Sequence, residues 1–292
     1  MQEITCTVCG STDNTQLDFI PTYGKYNLMQ CNDCGLKFIL SENFETLDDD
    51  SYWDDVNKKI YAMPDVLKEF KKKQDKYLKR MIKLSPPNKR LLDVGCGNGI
   101  FLNNAKLNGF EATGIEPSSI AVILCKEQHG FSPVHGYLEL DSDLPKDFGS
   151  LSAWDVIEHV ADPKHFLKIC HAHLAQGGIL ILETPDESSW IRKLINMVDY
   201  VKKKLGIGGS SNIYYPSHRY YFTHKSMERL LSDAGFTGIK IYKEHTIYSK
   251  AIAKNKLYCK YSALQLLKYH IVFFILRAPF FWNKQVVICV KK

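Results

Sequence analysis

The sequence predicts an α/β chain whose sheet begins as nucleotide-binding sheets do, preceded by a small cysteine-bound unit. Three observations carry that expectation. The stretch "RLLDVGCGNG", Arg90 to Gly99, runs from an apolar strand through an aspartate into glycines at every second position. A second apolar run, "FEATGIEPS", reaches Glu116 about 20 residues past the loop. Two C-x2-C pairs, Cys6/Cys9 and Cys31/Cys34, lie 21 residues apart near the N-terminus.

With 292 residues the chain has room for one large domain and one small one. Its net charge is +6, unevenly spread. Residues 1–50 hold two lysines and no arginine against nine acidic residues, a local net of −7, which leaves +13 for the remainder. Two differently charged regions suggest two units. The first ten residues, "MQEITCTVCG", have neither the basic start nor the apolar core of a signal peptide, and no run of 18 apolar residues suggests a spanning helix. Nine cysteines, four of them paired and five scattered, fit one metal site plus buried thiols in a reducing compartment, so the expected location is the cytoplasm.

Taken in order, the cysteine unit spans 1–45. Each pair sits on a turn followed by glycine, Gly10 or Gly35. Two such knuckles aim four thiolates at one point, a tetrahedral set that suits structural Zn2+ and leaves no open position for catalysis. Short strands with turns at Pro21 and Gly24 are expected between them, as in a zinc ribbon. Its acidity argues against a nucleic-acid grip, since phosphate binding needs Lys and Arg. Residues 46–87 read as an acidic linker and a helix from Pro64, whose apolar positions (Val66, Leu67, Phe70, Tyr77, Leu78, Met81 and Ile82) recur at helical spacing under a lysine-rich face. Tyr52 and Trp53, in the linker, either pack on the next domain or cover a ligand.

Residues 88–292 form the α/β domain. After the strand "RLLDV", the glycines allow a tight turn and a close approach of backbone to ligand, and the helix that follows offers free N–H groups. Further strands are expected at "SPVHG", "SLSAWDVIEH", "GILILETP", "TGIKIYKEH" and "NKQVVICVKK". Helices are expected over "SSIAVILCKEQHG" (118–130), after Asp162-Pro163, over 189–205 and after Thr223. An insertion at about 246–283 separates the last two strands. It contains the apolar stretch "LQLLKYHIVFFILRAPFFW", and the helix at 189–205 sets apolar residues against Arg192, Lys193 and Lys202–Lys204. Both regions read as lids over a substrate pocket; the alternative is peripheral contact with the inner face of an anionic membrane.

The motifs "LLDVGCGNG", "ATGIEPS", "WDVIEHVADP" and "LAQGGILILETP", in that order over residues 88–240, resemble the class I S-adenosylmethionine-dependent methyltransferases. The resemblance implies a Rossmann-like seven-stranded sheet with one antiparallel strand. It implies that Asp93, Gly95, Cys96, Gly97 and Gly99 hold the methionine end of the cofactor, that Glu116 and Pro117 hold the ribose, and that His135–Tyr137 lie near the adenine. Asp155 would face the methionine part or the substrate. "LAQGG" departs from the family's commoner Pro-Gly-Gly at a structural turn. The cofactor's chemistry agrees: loop N–H groups suit its carboxylate, and Asp93 or Asp155 suits its ammonium.

Two readings of the chemistry stand side by side. His159 and His218 could act as general bases toward an acceptor. Alternatively Asp155, Glu158, His159 and His218 could bind a divalent ion, an arrangement similar to the E-x-x-E-H plus distal histidine of small-RNA 3′-end methyltransferases, with aspartate in place of the first glutamate. The four-cysteine unit joined to this domain resembles bacterial methyltransferases of sugar and surface-polysaccharide pathways. The expected activity is therefore O- or N-methylation of a small molecule or glycan: a sugar, a nucleotide sugar or a lipid-linked glycan. An RNA methyltransferase and a non-catalytic cofactor-binding module are the alternatives; the acidic ribbon opposes the first and the intact motifs oppose the second.

Overall fold

The structure is a computed structural model; it describes residues 4–17, 27–40, 49–207, 213–214, 217–258 and 282–292. The expected turns at Pro21 and Gly24 and nearly all of the apolar insertion stretch lie outside these residues.

The N-terminal unit contributes β1 (Asn14–Gln16), β2 (Asn27–Cys31) and β3 (Lys37–Leu40), paired antiparallel. A 3-10 turn over Asp49–Trp53 leads into α1 (Asp55–Ala62) and α2 (Pro64–Lys83). The sequence reads the stretch holding α1 as a connection, but a cap makes it helical. Asp54 accepts the N–H of Asn57 at 2.7 Å, and Ile60 is buried on the inner face. Helix α2 begins at its proline and buries Val66, Tyr77, Leu78 and Met81 while most of its lysines face out.

The larger domain runs β4 (Arg90–Val94), α3 (Ile100–Leu107), β5 (Glu111–Glu116), α4 (Ser119–His129), β6 (Val134–His135), β7 (Phe148–Trp154), α5 (Pro163–His173), β8 (Leu174–Pro185), α6 (Trp190–Lys204), β9 (Tyr220–Tyr221), α7 (His224–Asp233), β10 (Phe236–Glu244), α8 (Tyr248–Tyr258) and β11 (Lys284–Lys291). Seven strands form one sheet in the order β10-β11-β8-β7-β4-β5-β6. Strand β11 runs antiparallel to both its neighbours; the pairs from β8 to β6 are parallel. The central strands are covered on both faces, which explains why Leu91–Leu92 and Ile179–Leu182 read as continuous apolar runs. The chain moves outward from β4 through β5 to β6, then returns to β7 on the other side of β4. That reversal opens a crevice at the carboxyl ends of β4 and β7.

Strand β9 does not join this sheet. It pairs antiparallel with β3, so the small sheet has the order β1-β2-β3-β9. Buried Val8, Met29, Leu36 and Phe38 belong to one apolar core with Leu151, Leu180, Phe222, Met227 and Leu230. At the N-terminus of α7, the Thr223 hydroxyl caps its own helix and also donates to the Cys34 carbonyl at 2.8 Å.

Candidate functional site

On one lip of the crevice stands Asp93, the fourth residue of β4 and 1% exposed. One carboxylate oxygen accepts from the Ser152 hydroxyl at 2.6 Å. The other is buried without a partner. Burial pushes this carboxyl up to about 7; the Ser152 bond opposes the rise and the Glu116 charge adds to it. An orphaned anionic oxygen in that place fits a cationic ligand group such as an ammonium.

The loop beside it folds through three left-handed glycines, Gly95, Gly97 and Gly99, with φ of +66°, +54° and +81°. A Cβ on Gly99 would come within 2.3 Å of the Cys125 sulfur, and one on Gly95 within 2.7 Å of Val156, so no other residue fits without displacement. Cys96 turns its buried side chain toward Gly114 of β5, leaving only its backbone to the loop. Glu116 ends β5. Its carboxylate accepts the Gly97 N–H at 2.7 Å and the Ser118 N–H at 3.0 Å, tying the second strand to the glycine loop. The Pro117 carbonyl accepts from His135 Nε2 at 2.9 Å, which fixes the end of β6, while Tyr137 is exposed.

A roof covers this lip. Trp53 lies over the loop, its ring 3.2 Å from where a Gly97 Cβ would stand, and it packs with Tyr52 and Tyr61. Asp50 anchors the roof: it accepts from the Ser118 and Ser119 hydroxyls at 2.7 and 2.8 Å and from the Ile120 N–H at 3.2 Å, at the start of α4. Of the two aromatic residues of the linker, Trp53 is buried against the glycine loop and Tyr52 packs on it from the exposed side.

Asp155 follows β7 on the opposite lip with a left-handed φ of +56°. Its carboxylate pairs with Lys284, at the start of β11, and Lys284 also donates to Glu183 at 3.1 Å. Lys73 of α2 pairs with the same Glu183. Desolvation alone would raise the Asp155 carboxyl, but the Lys284 and Lys250 ammoniums outweigh it and hold the group well below the usual carboxylate range. This ion chain escaped the sequence reading. The only signal was one glutamate inside the apolar run "GILILETP".

Beyond Asp155 the chain turns through Glu158 and His159. The structure brings His218 to them from the segment before β9: the two imidazole rings stand 4.7 Å apart, edge to face. His159 Nδ1 lies 2.8 Å from the Ser217 carbonyl, which can only accept, so Nδ1 carries the proton and Nε2 of the neutral ring is left with its lone pair. Desolvation lowers the pKa of both histidines, His218 well below the ordinary imidazole value. Glu158 is fully buried; one oxygen accepts from Thr184 at 2.9 Å and the other has no partner. Burial and then the Asp155 charge push it up to about 8. Ligand atoms of Glu158, His159 and His218 all lie within 4.8 Å of one another, a donor set with the size and chemistry of a divalent-cation site.

The second cluster is the four-cysteine unit. Cys6 and Cys34 sulfurs are 3.7 Å apart and those of Cys9 and Cys31 3.4 Å, with all four within 4.8 Å. A tetrahedral Zn–S shell of 2.3 Å bonds sets sulfurs about 3.8 Å apart, so the residues fit structural zinc. Gly10 and Gly35, at φ of +73° and +74°, turn the two knuckles.

A family model described as a methyltransferase domain matches residues 67–241. The mitochondrial ubiquinone biosynthesis O-methyltransferase of Schizosaccharomyces pombe is 30% identical over 129 residues, 41% of this chain and 47% of that protein. The ubiquinone biosynthesis O-methyltransferase of Pseudomonas syringae pv. tomato is 31% identical over 103 residues, 33% of this chain and 44% of that protein. The chain spans about half the length of the curated relatives it matches. Among solved structures, magnesium protoporphyrin IX methyltransferase from Synechocystis PCC 6803 with bound SAH aligns with a TM-score of 0.53 at 16% identity, covering 83% of this chain and 98% of that one. At that identity the likeness is one of fold.

Proposed function

This chain belongs to the methyltransferase domain family, and from that premise we propose that it transfers a methyl group from S-adenosylmethionine to an oxygen of a small-molecule acceptor. The observation that carries the proposal is the lip built by Asp93, the three left-handed glycines and Glu116: an orphaned carboxylate oxygen, a glycine loop with no side chains at its three turning positions, and an acidic strand end beside it. In this reading Asp93 and the backbone of the Gly95–Gly99 loop hold the amino-acid end of the cofactor and Glu116 holds its ribose. The bound cofactor supplies an electrophilic methyl on a sulfonium. The protein's share is to align the acceptor in line with it and to exclude water. The Trp53 roof serves that exclusion. His159 Nε2, held by its Ser217 bond, is positioned to take the acceptor proton.

One observation favours a second reading at the same place. Glu158 keeps a buried oxygen without a partner beside two histidines, so a divalent ion held by Glu158, His159 and His218 could orient the acceptor hydroxyl instead. Mild chelation that leaves the four-cysteine zinc in place, checked by metal analysis, decides between them: the base reading expects no change in rate, and the metal reading expects rate to return only with added cation.

The oxygen acceptor is supported by the names of the relatives, and a sugar or lipid-linked glycan by the four-cysteine unit. Helix α6 leaves Leu194, Met197, Val198 and Val201 partly exposed along a helix that ends in Lys202, Lys203 and Lys204, a composition suited to an anionic lipid surface and hence to an acceptor with a lipid tail. Among the described residues no helix is long and apolar enough to cross a membrane. The test is to incubate the protein with methyl-labelled S-adenosylmethionine and host extract, with Asp93→Ala as control, and to separate RNA, protein, lipid and small molecules. Label in small molecules or glycolipid supports the proposal. Label in RNA, or no binding of S-adenosylmethionine at all, overturns it.

A further inference from the structure

The small acidic unit carries a lysine in its core. Lys37 of β3 is 6% exposed, and lysine is rarely buried unless paired. Its ammonium leaves the small sheet and enters the larger domain. There it donates to Glu187 at 2.5 Å and to the Tyr214 hydroxyl at 2.7 Å. Arg192 of α6 donates to the other Glu187 oxygen at 3.2 Å, and Asn196 donates to the Tyr214 hydroxyl at 2.9 Å. Buried ion pairs contribute little net stability; their best-attested use is to select one arrangement among near-equals.

The arrangement at stake is the pairing of β3 with β9. It consists of only two residue pairs, Lys37 with Tyr221 and Phe38 with Tyr220, plus a bond from the Ile39 N–H to the Arg219 carbonyl at 3.0 Å. So short a pairing is weakly specified by its backbone. A slip of one residue would move the segment about 3.3 Å and exchange its faces. The segment being placed is the one that carries His218. The Arg219 N–H donates to the Glu158 carbonyl at 2.8 Å, the Ser217 carbonyl accepts from His159, and Tyr221 packs between the Tyr214 ring at 4.8 Å and the His218 ring at 5.7 Å. The Glu187 N–H in turn donates to the Phe222 carbonyl at 3.0 Å.

We propose that Lys37 is a positioning residue for the candidate acceptor site: by tying β3 to Glu187 and Tyr214, whose hydroxyl itself donates to Glu187 at 2.7 Å, it locks the register of β9 on β3 and so holds His218 against His159 and Glu158. The cysteine unit is then a working wall of the site. The inference rests on the proposed site, but its test does not depend on the acceptor. Lys37→Met keeps the stem of the side chain and leaves Glu187 paired with Arg192. In the full-length protein, proton–carbon NMR signals of the histidine rings, assigned through His→Gln variants, report each imidazole's surroundings.

In Lys37→Met the His159 and His218 signals should shift or split while those of His135 and His165 stay in place. Affinity for S-adenosylmethionine should change less than about twofold, because the glycine loop is not involved. Lys37→Arg, which keeps the charge, should restore the signals in part. Tyr214→Phe removes one hydroxyl and should move the same two signals; it carries the test if Lys37→Met does not fold. Folded Lys37→Met or Tyr214→Phe protein with wild-type histidine signals would overturn the proposal. Wild-type protein that fails to bind S-adenosylmethionine would instead remove the cofactor reading and leave the NMR comparison standing.

Discussion

Replacing Asp93 by asparagine should change how the stability of the cofactor-free protein depends on pH. The folded carboxyl titrates at about 7, against 3.8 for the unperturbed group. Between those values the unfolded chain has released a proton that the folded protein still holds. Stability therefore falls as pH rises through this window, and the loss is complete above pH 7. The gap of just over three units, at 1.36 kcal/mol each, makes the loss about 4 kcal/mol. Asparagine keeps the bond from Ser152 and does not titrate, so the variant lacks this slope. For 292 residues the unfolding entropy is about 0.6 kcal/mol/K, and 4 kcal/mol corresponds to about 6 °C. The measurement is the thermal midpoint of both proteins from pH 4 to pH 8. The difference between variant and wild type should grow in the variant's favour by about 6 °C across that range. S-adenosylmethionine added at pH 8 should stabilise the wild type and leave the variant unmoved. Parallel pH profiles would refute the reasoning, because they would mean that the Asp93 carboxyl is ionised throughout or titrates alike in both states.

Glu116→Ala should abolish measurable S-adenosylmethionine binding by calorimetry, since it removes the proposed ribose acceptor and frees the Gly97 and Ser118 N–H groups at once; wild-type affinity would discard the assignment. Metal analysis of the purified protein should find one zinc per chain bound by the four cysteines, and Cys34→Ser should lose it together with the folded N-terminal unit; a metal-free, fully folded protein would refute the ribbon. Asp50→Ala should unpin the Trp53 roof, so that S-adenosylmethionine dissociates about tenfold faster in stopped-flow with little change in thermal midpoint. An unchanged dissociation rate would show that the roof does not gate the crevice.

What the sequence disclosed were features whose chemistry is local. Three alternating glycines need left-handed backbone, and that need is visible in ten residues. The knuckles declare themselves by spacing, and the Thr223 and Asp162 caps mark two helix starts. What stayed hidden was non-local or short. Helix α1 has only a narrow apolar face in "DVNKKIYA", and its cap matters more than its periodicity. Asp155 could be named as a candidate, but its lysine partner lies 129 positions away. His159 and His218 could each be picked out, yet their meeting depends on a two-residue strand that no pattern reveals.

That strand has a consequence for how the protein is made. The edge of β3 receives its partner from about 180 residues further along the chain. At synthesis rates of about 5–20 residues per second, that interval is about 10–40 s. Throughout it the small sheet carries an open edge and an unpaired ammonium at Lys37, the condition in which strands recruit foreign partners. Metal capture by the two knuckles needs only the first 34 residues and can precede all of this. The nascent chain thus closes its first turn early and its last seam late. A fragment cut after residue 45 would show the unit only in its waiting form.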